Sequence, residues 1–185
     1  MKNIFFPIVY LAILTITFIS CSESSKTKSS TAQKENPAVK GSINPVTTLL
    51  SGYLTLKNAL INDNGNEAAA AGNKLLAELS KIDSTAIPDA KRKEYTDIAD
   101  DISENATHIA ANAEKVAHQR EHFESLSNDV SDLINLFGVQ QKLYRDRCPM
   151  YNNGKGAIWI SETSEIKNPY YGKQMLACGW VEKEY

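Results

Sequence analysis

The sequence lacks most of the short motifs by which enzymes and metal-binding domains are recognised. It contains no His-Glu-x-x-His motif, no Cys-x-x-Cys pair and no glycine-rich phosphate-binding loop. These motifs are the usual signatures of zinc peptidases, thioredoxin-like proteins and nucleotide-binding domains, so the sequence does not indicate any of these classes. We therefore do not expect an enzyme, and a nucleophilic role for Cys148 or Cys178 remains only as an alternative.

Positive charge is also scarce. The chain has 20 Lys and Arg against 22 Asp and Glu, a formal net charge of −2 at pH 7. Removal of residues 1–20 takes away only Lys2, which leaves 19 basic against 22 acidic side chains, or −3. Proteins that neutralise nucleic-acid phosphates need an excess of Lys and Arg. We therefore expect no nucleic acid among the partners.

The one long apolar run lies at the start of the chain and is short for a membrane span. Residues 4–19 carry no ionised side chain, Lys2 precedes them, and Ser20 and Cys21 follow. A helix needs about 20 apolar residues to cross a bilayer, whereas a basic start, an apolar run and a small residue describe a secretory signal. We predict a lipoprotein signal peptide over residues 1–20, with Cys21 as the lipidated residue. An ordinary signal peptide and an uncleaved anchor are the alternatives.

Residues 21–43 have almost no apolar side chains and consist largely of Ser, Thr, Lys and other polar residues. Such a composition cannot bury enough apolar surface to offset the entropy of ordering the chain. We predict a lipidated, flexible tether. The protein is then exported and attached to a membrane through its lipid, in the periplasm or on the outer membrane.

Apolar residues recur every three to four positions from Asn44 onward, which is typical of helices. Asn44 and the following proline suit a helix start, Pro88 opens a third helix, and Gly138 ends the last one. The stretch between Pro88 and Gly138 has no proline or glycine, but helices of about fifty residues are rare. We therefore favour two helices with a turn near Asn112.

These patterns predict an all-α fold, an antiparallel four-helix bundle over residues 44–138. Ten apolar positions on the inward stripes are expected in its core: Leu49, Tyr53, Leu75, Leu79, Ile98, Ile102, Ile109, Leu126, Val130 and Leu133.

Residues 139–185 differ in character, because glycine, tyrosine and tryptophan are concentrated there. Residues 157–161 suit a short strand, and residues 168–172 have the composition of a turn. We predict a loop-rich C-terminal cap with short strand-like segments, which packs on the bundle as part of the same domain.

Sulfur is scarce, with three cysteines and three methionines in 185 residues. With Cys21 assigned to lipid, Cys148 and Cys178 form an even pair, and in an oxidising compartment a disulfide between them is one interpretation. The two methionines other than the initiator lie beside these cysteines, Met150 after the first and Met175 before the second. Thiolate and thioether ligands select monovalent copper. On one helical turn, Met175 and Cys178 would point the same way.

The three histidines provide a second indication of metal binding. His118 and His122 are four residues apart, so they are neighbours on a helix face, and a turn near Asn112 would bring His108 beside His118. A solvated polar face is the alternative. We predict a metal site of Cys148, Met150, Met175 and Cys178, with His118 as nitrogen donor, and leave open whether His108 and His122 join it.

Three segments carry a resemblance to a known family: residues 118–127, 143–161 and 165–181. They resemble a bacterial domain family of unknown function. It occurs alone as an exported lipoprotein and fused to the C-terminus of copper/silver-type heavy-metal efflux adaptors. The resemblance extends over about residues 45–183, and the last forty residues are its most specific part. It implies a helical bundle and a link to metal export, without an established ligand set.

Two functions follow as expectations. In the first, an exported lipoprotein binds copper through the Cys/Met cluster and supports metal efflux or homeostasis, with a heavy-metal efflux adaptor or metallochaperone as partner. In the second, the protein binds no metal. A Cys148–Cys178 disulfide then holds the cap, and Trp159 and Tyr170 form a docking surface.

Overall fold

The computed structural model describes residues 44–185. The predicted signal peptide, the tether and Cys21 lie outside the described residues. Within the described range, none of the helices combines the length and the apolar character that crossing a membrane requires.

Four long helices make up the first part: α1 (Pro45–Ile61), α2 (Gly65–Leu79), α3 (Asp89–Ala111) and α4 (Val116–Phe137). The side chain of Asn44 caps α1 by accepting a 3.0 Å hydrogen bond from the Val46 amide. The predicted turn near Asn112 separates α3 from α4, and Gly138 follows the end of α4, as expected. The preference for two helices over one long helix is therefore confirmed.

The helices pack in chain order, α1 on α2, α2 on α3 and α3 on α4, and α4 also contacts α1. Eight of the ten predicted core residues are buried, whereas Leu79 and Ile98 are half-buried. Because the inward stripes follow the helical period, the sequence located most of the core correctly.

The C-terminal part contains a three-stranded antiparallel sheet of β1 (Tyr144–Cys148), β2 (Ala157–Ser161) and β3 (Trp180–Glu184), in the order β2-β1-β3. The expected strand at residues 157–161 is confirmed as β2. The protein is thus mostly helical with a small sheet, and the all-α expectation is corrected in this respect. Strands β1 and β3 were missed because their sequences, YRDRC and WVEKE, are dominated by charged residues. A helical turn (Tyr151–Gly154) and 3₁₀ turns (Ser84–Ala86, Gly172–Gln174) complete the fold.

Strand β2 joins the sheet to the helices. All five of its residues are buried, and it packs on α4 and α1. The Tyr53 hydroxyl accepts a 3.0 Å hydrogen bond from the Ile160 amide and bonds to Ser127 Oγ at 2.8 Å. Trp159 and Tyr170 are 0% and 2% exposed, so the expected docking surface at these two residues is wrong. Their rings belong to the core.

Asp146 lies at the centre of the middle strand, β1, with no exposed surface. Neither of its carboxylate oxygens has a hydrogen-bond partner among the described residues. Burial raises the pKa of this carboxyl to about 7, although the nearby Lys57 opposes the shift. Lys57 itself forms an ion pair with Glu162. Asp146 is therefore a polar group whose charged form the fold does not favour.

The buried position of Ile102 makes it a direct test of the helix α3 phase. Ile102 is fully buried, and an unpaired buried charge costs several kcal/mol against a total stability of about 5 to 15 kcal/mol. We expect Ile102→Asp to unfold the protein in circular dichroism. Thr96→Asp, at an exposed position of the same helix, should melt like the parent. Equal melting of both variants would contradict this packing.

Because the pKa of Asp146 is raised in the folded protein, the free energy of unfolding should fall as the pH rises. Between the ordinary Asp pKa of about 3.9 and the raised value, the folded protein keeps a proton that the unfolded chain has lost. We expect Asp146→Asn to raise the melting temperature at pH 8 and to change it little at pH 4. The exposed Asp100→Asn is the control. If Asp146→Asn raised the melting temperature at pH 4 as much as at pH 8, the effect would not come from titration of Asp146.

Candidate metal centre

The three histidines of the chain meet at the turn between α3 and α4. His108 lies in the last turn of α3, and His118 and His122 lie on the first two turns of α4. One ring nitrogen from each lies within 4.8 Å of the other two. The structure thus places His108 beside His118, as the expected turn required, and brings His122 to the same point.

The arrangement of the rings shows how closely they converge. His108 and His122 stack with centroids 4.3 Å apart, and His118 stands almost perpendicular to His122 at 4.7 Å. An ion at the centre of the three nitrogens would lie roughly 2.8 Å from each, whereas metal–imidazole bonds measure about 2.0–2.1 Å. Each ring would need to move inward by roughly 0.7 Å, which small side-chain rotations can supply.

His118 is oriented by an acid on its own helix. Its Nδ1 lies 2.9 Å from Oε2 of Glu121. An ionised carboxylate only accepts hydrogen bonds, so Nδ1 carries the proton and the lone pair lies on Nε2. Histidines that bind metals commonly donate their other N–H to a carboxylate in this way.

His122 has an equivalent partner on the neighbouring helix. Its Nδ1 lies 3.1 Å from Oδ1 of Asn105, while Nδ2 of the same amide donates to the Asp101 carbonyl at 2.9 Å. Because that second bond directs the amide oxygen at the ring, His122 is the donor and its Nε2 is left with a lone pair. Burial, and then the nearby His108 and His118, lower the pKa of His122. The imidazole is therefore held in the neutral form that binds metals.

The buried side chain of Gln119 fixes the turn that carries the histidines. Its Nε2 donates to the carbonyls of Gly65 at 2.9 Å and Ile109 at 3.0 Å, so it joins the starts of α4 and α2 to the end of α3. A Cβ at Gly65 would meet the Ala113 carbonyl oxygen at 2.1 Å. The absence of a side chain there lets α2 approach the turn closely.

The two C-terminal cysteines form a separate pair. Cys148, at the end of β1, is fully buried, Cys178 is half-buried, and their sulfurs are 3.8 Å apart. A disulfide bond measures about 2.05 Å. The structure therefore has two free thiols where the alternative interpretation expected a disulfide. Burial, with the hydrogen bond and the proximity of Cys148, raises the pKa of the Cys178 thiol.

The methionines lie near these thiols in the chain, in different environments. Met150 is 50% exposed, and Met175 is half-buried. The expected helical turn from Met175 to Cys178 is not formed, and the Cys178 amide instead donates to the Met175 carbonyl at 3.0 Å in a turn. The buried Asn168 explains the departure, since its side chain donates to the Cys178 carbonyl at 2.7 Å and holds the segment out of a helix.

The five predicted ligands therefore fall into two groups. Among residues 44–185, the cluster of His, Cys, Asp and Glu donors contains the three histidines and neither cysteine. His118 belongs with His108 and His122, while Cys148 and Cys178 face each other. The spacing of the histidines around Asn112 was the signal for the first group. The sequence could not show that this group is separate from the thiols, because that depends on long-range packing.

Comparison with known protein families gives one match. Residues 49–142 match the family described as "Protein of unknown function (DUF3347)". The chain belongs to this family. Curated proteins and solved structures give no match. The matched segment contains α4 and all three histidines but ends before β1, so the Cys/Met residues of the resemblance lie beyond it.

Gln119 should affect metal binding by the histidines because it holds the turn that carries them in position. We expect Gln119→Leu, which keeps most of the volume, to remove the hydrogen bonds to the Gly65 and Ile109 carbonyls and to cost about 1–3 kcal/mol of stability. It should also weaken metal binding, as isothermal titration calorimetry with Cu²⁺ will measure. Gln140→Leu, at an exposed position, is the matched control. Unchanged affinity in a destabilised Gln119→Leu protein would show that Gln119 is structural only.

Proposed function

We propose that the protein binds a divalent transition-metal ion through His108, His118 and His122. The observation that carries the proposal is the convergence of three ring nitrogens within 4.8 Å of one another. The partners of Nδ1 on two of these rings support it, because Glu121 and Asn105 leave each Nε2 with a free lone pair.

Imidazole ligands favour particular ions. They suit zinc, copper and nickel, and among divalent ions Cu²⁺ generally binds most strongly to nitrogen donors. Hard ions such as Mg²⁺ prefer oxygen and are not expected here. Copper is therefore our first choice, with Zn²⁺ as the main competitor.

The setting of this site is part of the proposal. After removal of a signal peptide over residues 1–20, a lipid on Cys21 and a tether to residue 43 would hold an antiparallel four-helix bundle near a membrane. The bundle would present the histidine centre to metal ions in the periplasm. The protein would then capture copper, or pass it to a heavy-metal efflux adaptor or metallochaperone, without catalysing a reaction.

Removal of single ligands tests the site. We expect His108→Ala, His118→Ala and His122→Ala each to lower Cu²⁺ affinity by roughly tenfold or more, and Glu121→Ala to lower it by about 10–100-fold through the lost orienting bond. Binding to the native state alone should raise the melting temperature, so these variants should lose that increase. Calorimetry and thermal melts measure both effects.

Two controls make the result specific. Lys115→Ala changes an exposed residue in the same turn and should bind like the parent, and so should a Cys148→Ser/Cys178→Ser protein. If the variant lacking all three imidazoles is folded and binds Cu²⁺ as tightly as the parent, the histidine centre is not the site.

A further inference from the structure

The thiol pair has no place in the histidine centre, yet the fold brings it together from distant parts of the chain. Cys148 ends β1, and Cys178 lies two residues before β3. Their sulfurs are 3.8 Å apart, close enough for one thiol to hydrogen bond to the other.

The backbone around Cys178 is held in a fixed position. Gly179 has a φ of 142°, and a Cβ there would meet the Arg147 carbonyl oxygen at 2.7 Å and Trp159 Cη2 at 2.9 Å. Only glycine allows this close approach to β1. The Asn168 side chain fixes the other side through its 2.7 Å bond to the Cys178 carbonyl. The two sulfurs are thus preorganised.

Three exposed apolar side chains lie close to the two cysteines in the sequence. Met150, Leu176 and Trp180 are 50%, 40% and 47% exposed, and they are the exposed large hydrophobic side chains of the described range. Each lies two residues from Cys148 or Cys178 in the chain. Cys178 is half-buried, so a small ion can reach the pair from solvent.

We propose that Cys148 and Cys178 form a second metal site, which binds a soft monovalent ion such as Cu⁺ or Ag⁺ through two thiolates. Two sulfurs that each lie about 2.3 Å from one ion are at most roughly 4.6 Å apart, and they come closer when further ligands bend the S–metal–S angle. The observed separation of 3.8 Å lies within this limit. The pair can therefore bind one ion with little movement.

The surrounding donors favour a monovalent ion over zinc. Structural zinc sites almost always have four ligands from Cys, His, Asp or Glu. In the described part of the chain, no third residue of these types gathers with the two cysteines. The additional donors near in sequence are the thioethers of Met150 and Met175, which suit Cu⁺. On binding, two S–H bonds break, two metal–sulfur bonds form, two protons pass to solvent, and no electron is transferred.

The test isolates the pair from the other metal-binding groups. It uses the full chain with Cys21→Ser, which removes the third thiol, and with His108, His118 and His122 changed to Asn. Cu⁺ is added without oxygen in competition with a Cu⁺ chelator. Native mass spectrometry gives the stoichiometry, and fluorescence of Trp180 and Trp159 reports binding near the thiols. We expect one Cu⁺ per chain and quenched fluorescence.

The cysteine variants decide the outcome. Cys178→Ser, at the half-buried position, should lower Cu⁺ affinity at least tenfold while the circular dichroism spectrum is unchanged, and Cys148→Ser should do the same if it folds. Leu176→Ala is the matched control and should keep the stoichiometry. Equal Cu⁺ affinity with and without the Cys178 thiol would overturn the proposal, and so would binding of Zn²⁺ in preference to Cu⁺. Because the histidines are absent throughout, the result is independent of the histidine centre.

Discussion

The buried amide of Gln119 is the contact on which the geometry of the three-histidine cluster depends. Its two hydrogen bonds tie the start of α4 to the end of α3 and to the start of α2. The next residue, Arg120, points to the other side, where it donates to the carbonyls of Pro169 at 2.7 Å and Leu60 at 2.9 Å. One helical turn therefore links the helices to the C-terminal part and sets the positions of the histidines on either side of it.

The protonation of the histidines depends on how closely this packing brings them together. Three imidazoles would repel one another if protonated, and the lowered pKa of His122 reflects its burial and its two histidine neighbours. A neutral His122 therefore suits both the folded protein and the cation that the proposed centre would bind. The same α3–α4 contact supplies Asn105, which orients His122 from the opposite helix. Metal binding at the proposed centre would thereby be coupled to the packing of α3 on α4.

Local patterns in the sequence predicted local features well. The cap at Asn44, the turn near Asn112, the end at Gly138 and the strand at residues 157–161 each depend on neighbouring residues, and the structure has all four. The failures are long-range. Strand β3 is mostly exposed and charged, so its pairing with β1 left no hydrophobic pattern to detect. The burial of Trp159 and the separation of His118 from the thiols likewise depend on how distant segments pack.

The coordination of bound copper tests the central claim most directly. X-ray absorption and electron paramagnetic resonance of the Cu²⁺-loaded full chain, with Cys148 and Cys178 changed to Ser, report the ligand atoms themselves. The histidine centre predicts three imidazole nitrogens at about 2.0 Å around one ion, and loss of one of them in His122→Ala. Oxygen-only coordination, or a spectrum unchanged in His122→Ala, would contradict a three-histidine metal centre.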